Sequence, residues 1–283
     1  IKPDLFVIHG DRCETLAAAI CCNLNNILLA HIEGGEVSGT VDESIRHAST
    51  KFSHIHFVSN SKAKKILIRL GENNKNIHVI GSPEVDTMVK KDLPSLNLVK
   101  RHYNIRFNNY AILLFHPVTT LNKSEINFQC KQLFGALKTS EKNFVVIYPN
   151  NDDHSKIIMK YISSLKKNKR FKILPSLRFE YYLSLLKNSE FIIGNSSSGV
   201  REASVYGTKT INLGNRQRNR AINLENVYNL KFDKKIILNQ IYKIDYLKKK
   251  RSFNFGRGNS SIKFLNILSK KDFWNISRQK YLI

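Results

Sequence analysis

An α/β protein built from two Rossmann-like domains is the fold class that the sequence predicts. Three observations predict it. Short apolar runs alternate with helical segments along most of the 283 residues, as strands buried on both faces of a parallel sheet do. The alternation is interrupted between Val85 and Leu98, where Pro94 and mixed charge mark a junction, and then restarts. Polar clusters (HGD, HIEGGE, GSP, FHP, YPNND, GNSSS, LGNR) sit almost entirely at the carboxyl ends of the apolar runs. Ligands of open parallel sheets bind beyond those ends, so the clusters are expected to share a cleft between the domains.

In order, residues 3–9 read as a strand ending at His9-Gly10-Asp11-Arg12. A helix follows from about Glu14 to Leu24, with Ala17, Ala18, Ala19 and Ile20 on its packed faces. Residues 27–32 form the next strand. Ser44 to Phe52 is helical, with Asp42 and Glu43 near its positive end. Residues 56–58 are a strand, 63–70 a helix closed by Gly71, and 77–80 a strand. Beyond the junction come a strand (110–115), a helix (125–137), a strand (144–148), a helix (157–166), a strand (171–174) and a helix (180–187). The strand 191–193 leads through a Gly/Ser turn into a helix at about 200–206. Residues 210–213 read as the last clear strand, and the tail from Phe264 to Phe273 as helical.

The formal charge of +24 suggests nucleic acid as a partner. The lysines are scattered, however, in short runs such as 166–170 and 248–251, without the interleaved aromatic and arginine stripe of a single-strand binder. Lys, Asn and Ile together also reflect what an AT-rich genome supplies. A solvated basic surface, useful for attracting an anionic substrate, is the expected outcome. Cys13, Cys21, Cys22 and Cys130 form neither a zinc pattern nor a disulfide framework, and read as reduced, buried thiols of a cytoplasmic protein. No apolar run reaches the ~20 residues that span a bilayer. No motif calls for a metal or a redox cofactor.

The stretch Gly194–Glu202, GNSSSGVRE, carries the most chemistry. A Gly/Ser-rich turn from strand to helix offers free N–H groups at the positive end of a helix dipole, a place to hold phosphate.

HGDR (9–12), HIEGGEVSGTVDESIRHA (31–48), FHPVTT (115–120), GNSSSGVREA (194–203) and NLGNRQ (212–217) together resemble the hydrolysing UDP-N-acetylglucosamine 2-epimerases of sialic- and legionaminic-acid-type sugar synthesis. The five blocks occur in the family's order. The resemblance implies a GT-B fold. Its N-terminal domain (1–90) carries the catalytic carboxylates, its C-terminal domain (100–262) binds UDP, and a helix and tail close the chain (263–283). It also implies that a first strand and a Gly-Thr/Ser-Arg phosphate loop precede Ile1. The N-terminal domain is therefore expected to be incomplete, with one sheet edge unpaired and little turnover from 1–283 alone. FGRGNSSIKFL (255–265) resembles the family's closing segment.

By motif position, Asp11, Glu33 and Asp42 match the family's acid/base carboxylates, with Glu43 a rival for the third, and His116 matches its active-site histidine. The plainer account of Asp11 is a helix N-cap, and of Asp42 and Glu43 favourable charge at a helix start. Ser196, Ser197, Glu202 and Arg216 match UDP-binding positions, and Arg12 is placed to face the diphosphate. Glu202 as an acceptor suits ribose hydroxyls, and Arg216 can fork onto phosphate. Ordinary turn chemistry for the serines and a surface salt bridge for Arg216 are the alternatives. Arg178-Phe179 lies where relatives form the uracil pocket, and His31 and His47 either touch sugar or serve structure. The resemblance further implies a UDP-sugar substrate, no cofactor, no metal, no membrane, and a dimer or tetramer when full length. A UDP-N,N'-diacetylbacillosamine epimerase, a GT-B glycosyltransferase and a nucleic-acid-binding protein are the competing functions.

Overall fold

The computed structural model describes residues 2–38, 41–90, 92–217, 220, 224–247 and 249–281. Of the residues named above, Ile1, Gly39, Thr40 and Lys248 lie outside this set. The chain forms two compact units, Ile1–Lys90 with Phe253–Ile283, and Lys91–Ser252. Residues 253–262, which the sequence reading carries with the second domain, thus group with the first unit.

The first unit contains β1 (Phe6–His9), α1 (Cys13–Leu24), β2 (Leu29–Ile32), α2 (Val41–Phe52), β3 (Ile55–Val58), α3 (Ser61–Arg69), β4 (Ile77–Val79) and α4 (Pro83–Met88). Among the described residues, its sheet is four-stranded in the order β1-β2-β3-β4, all parallel. The central strand β3 is buried at every position, whereas the edge strand β1 exposes Phe6 and Val7. The side chains of Phe57, Ile55 and Ala30 on one face pack against Phe273 and Phe264 from the end of the chain.

The second unit begins with α5 (Leu96–His102), then β5 (Ala111–Leu114), α6 (Lys123–Thr139), β6 (Phe144–Ile147), α7 (Ser155–Ser163), β7 (Phe171–Leu174), α8 (Phe179–Asn188), β8 (Phe191–Gly194), α9 (Glu202–Tyr206), β9 (Lys209–Leu213), β10 (Val227–Leu230) and α10 (Lys234–Lys243). A further helix, α11 (Ser260–Leu268), belongs to the first unit. The second sheet runs β10-β9-β8-β5-β6-β7, again all parallel. From β5 the chain winds outward through β6 and β7, then returns to place β8 against the other side of β5. The strand order reverses there, which makes the carboxyl ends of β5 and β8 the topological switch point where such sheets bind ligand. His116 follows β5 and the Gly/Ser turn follows β8.

The structure departs from the sequence reading at several points. Helix α5 starts inside the supposed junction, its first turn capped by Ser95, whose hydroxyl accepts the Leu98 N–H. Residues 210–213 are not the last strand, because β10 follows and pairs with β9. The thiols are all free, but Cys13 and Cys21 are exposed on the outer side of α1, and only Cys22 and Cys130 are buried. No helix among the described residues is long and apolar enough to cross a membrane.

Candidate active site

In the first unit the segments following β1 and β2, together with α2, carry the predicted carboxylates. Asp11 lies just before α1, but it does not cap that helix. The cap position is Arg12, and no side chain caps the first turn. The Asp11 carboxylate is instead held by Arg46, whose guanidinium is almost completely buried. Arg46 also donates to the Glu36 carbonyl (2.7 Å) and to the Ser38 hydroxyl (3.2 Å). One arginine of α2 therefore fastens both the Asp11 turn and the segment after β2. A buried guanidinium requires such partners, since an unpaired buried charge costs several kcal/mol.

Glu33, at φ 67°, is buried, and its Oε2 lies 3.1 Å from Nε2 of His9. The ligand atoms of His9, Glu33 and Glu84 fall within 4.8 Å of one another, a spacing suited to a shared proton or a small cation. Ser82 donates to Glu84 at 2.8 Å. Asp42 and Glu43 occupy the first turn of α2, as the sequence predicts. Glu43 is committed locally: its Oε2 accepts the Ser38 N–H (3.1 Å) and its Oε1 lies 3.4 Å from Nε2 of His47. Arg12 is exposed at the mouth of the Asp11 turn. His31 is fully buried, bonded to Gly10 and Thr50, and has no access to a sugar.

In the second unit the site is built on the switch point. Gly194, at φ 143°, ends β8, and a Cβ there would come within 2.0 Å of the Leu114 carbonyl oxygen. Only glycine lets the two strand ends approach so closely. The next residue, Asn195, is fully buried and uses both ends of its amide on His116. Its Oδ1 accepts the His116 N–H and its Nδ2 donates to the His116 carbonyl, each at 2.8 Å. Arg216 donates to the Asn195 carbonyl at 3.2 Å.

The His116 ring is buried, and its Nδ1 accepts the Asn150 N–H at 3.1 Å. Burial, assisted by the nearby Arg216 charge, pushes its pKa down to about 3. His116 is therefore a neutral imidazole with its proton on Nε2, a hydrogen-bond donor rather than a cation.

The Gly/Ser turn contains a 3-10 turn, Ser197–Gly199, and the helix predicted at about 200–206 follows it as the short α9. Ser196 Oγ accepts the Ser198 N–H, so its turn-forming role is realised. Ser196 and Ser197 remain half-buried. Ser198 Oγ pairs with the hydroxyl of Tyr182, which is buried. Glu202 lies close enough to Tyr182 and Tyr206 for its charge to add to the upward push that burial gives both phenols. Arg178 stacks over Tyr181, with Phe179 partly exposed beside it.

Residues 1–269 match the family model described as UDP-N-acetylglucosamine 2-epimerase. The chain belongs to this family. It is 43% identical over 287 residues to the UDP-N-acetylglucosamine 2-epimerase of Neisseria meningitidis serogroup B, covering all of this chain and 75% of that protein. It is 33% identical to the UDP-N,N'-diacetylbacillosamine 2-epimerase (hydrolyzing) of Legionella pneumophila, over 76% of this chain and 57% of the relative. Against the crystal structure of the Methanocaldococcus jannaschii UDP-GlcNAc 2-epimerase in complex with UDP-GlcNAc and UDP, the TM-score is 0.81 at 24% identity, covering 95% of this chain and 76% of that one. The fold of this family member is accordingly of the GT-B type.

Four residues that contact the candidate site residues or their turns were absent from the sequence reading: Arg46, Asn195, Asn150 and Tyr182. Arg46 and Asn195 lie inside the motif blocks, yet their partners are 35 and 79 residues away in the chain.

Proposed function

We propose that this protein is a hydrolysing UDP-N-acetylglucosamine 2-epimerase, converting UDP-N-acetylglucosamine and water to N-acetylmannosamine and UDP. The second unit binds the UDP. Ser196, Ser197 and the N–H groups of their turn take phosphate oxygens, Arg216 and Arg12 offset the diphosphate charge, and Glu202 accepts from the ribose hydroxyls. His116, neutral, donates from Nε2. The first unit supplies the proton chemistry through Asp11, Glu33 and Asp42.

In the first step a carboxylate takes the proton from carbon 2 while the carbon 1–oxygen bond breaks and UDP leaves with its electron pair. The product is 2-acetamidoglucal. In the second, water adds its oxygen to carbon 1, and carbon 2 receives a proton on the opposite face, giving N-acetylmannosamine. One placed base contributes roughly 10²–10⁴-fold, about 3–5 kcal/mol. Stabilisation of the departing diphosphate carries much of the rest.

The observation that carries this reading is the Arg46 clamp. It holds the Asp11 carboxylate on α2, the helix that also bears Asp42, and fastens the Glu36 carbonyl in the segment after β2 that also bears Glu33. The relatives named as hydrolysing support the hydrolytic outcome. They also keep UDP-N,N'-diacetylbacillosamine as a second substrate. Assaying UDP release from both UDP-sugars side by side tests the proposal: faster release from UDP-N-acetylglucosamine supports it, and release confined to the diacetylated sugar replaces it with the second reading.

A further inference from the structure

We propose that His31 is a positioning residue for the reaction: a neutral imidazole whose Nε2–H pins the Gly10–Asp11 peptide plane while its Nδ1 accepts from Thr50 of α2. The role in turnover rests on the reading of Asp11 as an acid/base carboxylate; the pinning does not.

The ring sits in β2, fully buried, with both nitrogens engaged. Nε2 lies 2.8 Å from the Gly10 carbonyl oxygen and Nδ1 lies 3.2 Å from Thr50 Oγ1. A carbonyl only accepts, so Nε2 must carry the hydrogen. In the neutral ring Nδ1 is then the acceptor, and the Thr50 hydroxyl must donate to it. Burial, with the charges of neighbouring His56, Arg46 and His9 adding to it, pushes the pKa down to about 4, so the ring stays neutral through the working range.

The Gly10 carbonyl belongs to the peptide group whose nitrogen is that of Asp11. Gly10 stands at φ 77°, and a Cβ built there meets nothing within 4 Å. Side-chain packing therefore does not define this turn. Its backbone is fixed by hydrogen bonds: the Gly10 N–H to the Ile32 carbonyl at 3.1 Å, and His31 to the Gly10 carbonyl. The same ring lies under the segment after β2, where a Cβ on Gly34 would come to 3.1 Å from Nδ1 and 3.0 Å from Thr50 Oγ1. One side chain thus sets the Asp11 turn, the backbone next to Glu33, and the helix carrying Asp42 in a common register. Arg46 holds the Asp11 carboxylate, and His31 holds its backbone.

The experiment compares His31→Leu, His31→Gln and Thr50→Val in the full chain, with nitrogen-15 NMR of the wild-type ring. Leucine removes both hydrogen bonds, and a misplacement near 1 Å lowers kcat by about 10²-fold. KM changes by no more than about 3-fold and UDP affinity stays at the wild-type level, because the lost interaction acts on proton transfer and not on nucleotide binding. Glutamine, which keeps a donor and an acceptor, restores kcat to within about 10-fold of wild type. Equal losses for leucine and glutamine, or a fall in UDP affinity with kcat unchanged, overturn the positioning role. The NMR arm does not need activity. An Nε2-protonated ring that is unchanged between about pH 5.5 and 8.5 supports the pinning, and an Nδ1-protonated ring or a midpoint near 6.5 overturns it. No UDP release even from a protein that carries the first strand and phosphate loop the family resemblance implies defeats the proposed function instead, and leaves the pinning to the NMR result.

Discussion

The two units hold their candidate site residues by opposite means. In the first, carboxylates are held by basic side chains: Arg46 binds Asp11, His9 faces Glu33, and Glu43 contacts His47. In the second, neutral groups and backbone do the holding: Asn195 brackets His116, the Asn150 N–H meets its ring, and Arg216 donates to a carbonyl. The contrast follows from the chemistry assigned to each. Carboxylates that exchange protons have their pKa set by the basic groups beside them. A site for a diphosphate needs fixed donors that are already in place before the anion arrives.

Breaking the charged half is expected to cost most. Asp11→Asn removes a base while leaving the nucleotide site intact. It should lower kcat by roughly 10²–10⁴-fold, with UDP binding by calorimetry unchanged. If UDP affinity falls in step with kcat, the division of labour between the units is wrong. Arg46→Met leaves the Asp11 carboxylate without its partner and the Glu36 carbonyl without a donor. A loss of about 3–5 kcal/mol in urea unfolding is expected.

Breaking the neutral half should cost less. Asn195→Leu strips both hydrogen bonds from the His116 backbone, so a loss of about 1–3 kcal/mol is expected. UDP binding should weaken as well, which Asp11→Asn does not do. Unchanged UDP affinity would place His116 outside the nucleotide site.

The last prediction concerns a buried ion cluster of the first unit. Glu72 accepts from His56 at 3.0 Å, contacts Lys51 at 3.1 Å and is bound by Lys280 from the end of the chain. Burial alone would raise its pKa, but the hydrogen bonds from His56 and Lys280 outweigh burial and hold it at about 2. A depressed carboxylate contributes stability that is present above its unfolded value near 4.5 and lost as pH falls toward 2. Thermal melts should therefore show Glu72→Gln less stable than wild type at pH near 7 by about 2 kcal/mol, with the gap closing below about pH 3. A constant gap across that range would mean that the carboxylate charge is not what stabilises the cluster.

Much of the fold was legible in the sequence. The strands β5, β6 and β8 read directly because they are apolar at every position, as strands covered on both faces must be, and β3 because His56 alone interrupts its apolar run. The strand β10 did not. It is four residues at a sheet edge, and its Asn229 is explained only by a side-chain bond to Asn212 on β9. Helix α5 was hidden by Pro94, which in fact only precedes the Ser95 cap. The positions of Asp11, Glu33 and His116 after strands, and of Asp42 at a helix start, were legible from the motifs that carry them. Their supports were not, since the Arg46–Asp11 and Asn195–His116 contacts exist only once the sheets have formed. The charge state of His116 was equally hidden, because it depends on burial and on Arg216, 100 positions further along the chain.

The central claim is that the carbon 2 proton leaves, UDP departs, and water adds to the remaining sugar. Proton NMR of UDP-N-acetylglucosamine with the protein in deuterated water tests it most directly. The account predicts free UDP and N-acetylmannosamine carrying deuterium at carbon 2, formed in equal amounts. Accumulation of UDP-N-acetylmannosamine without release of UDP, or N-acetylmannosamine retaining its original hydrogen at carbon 2, would contradict it.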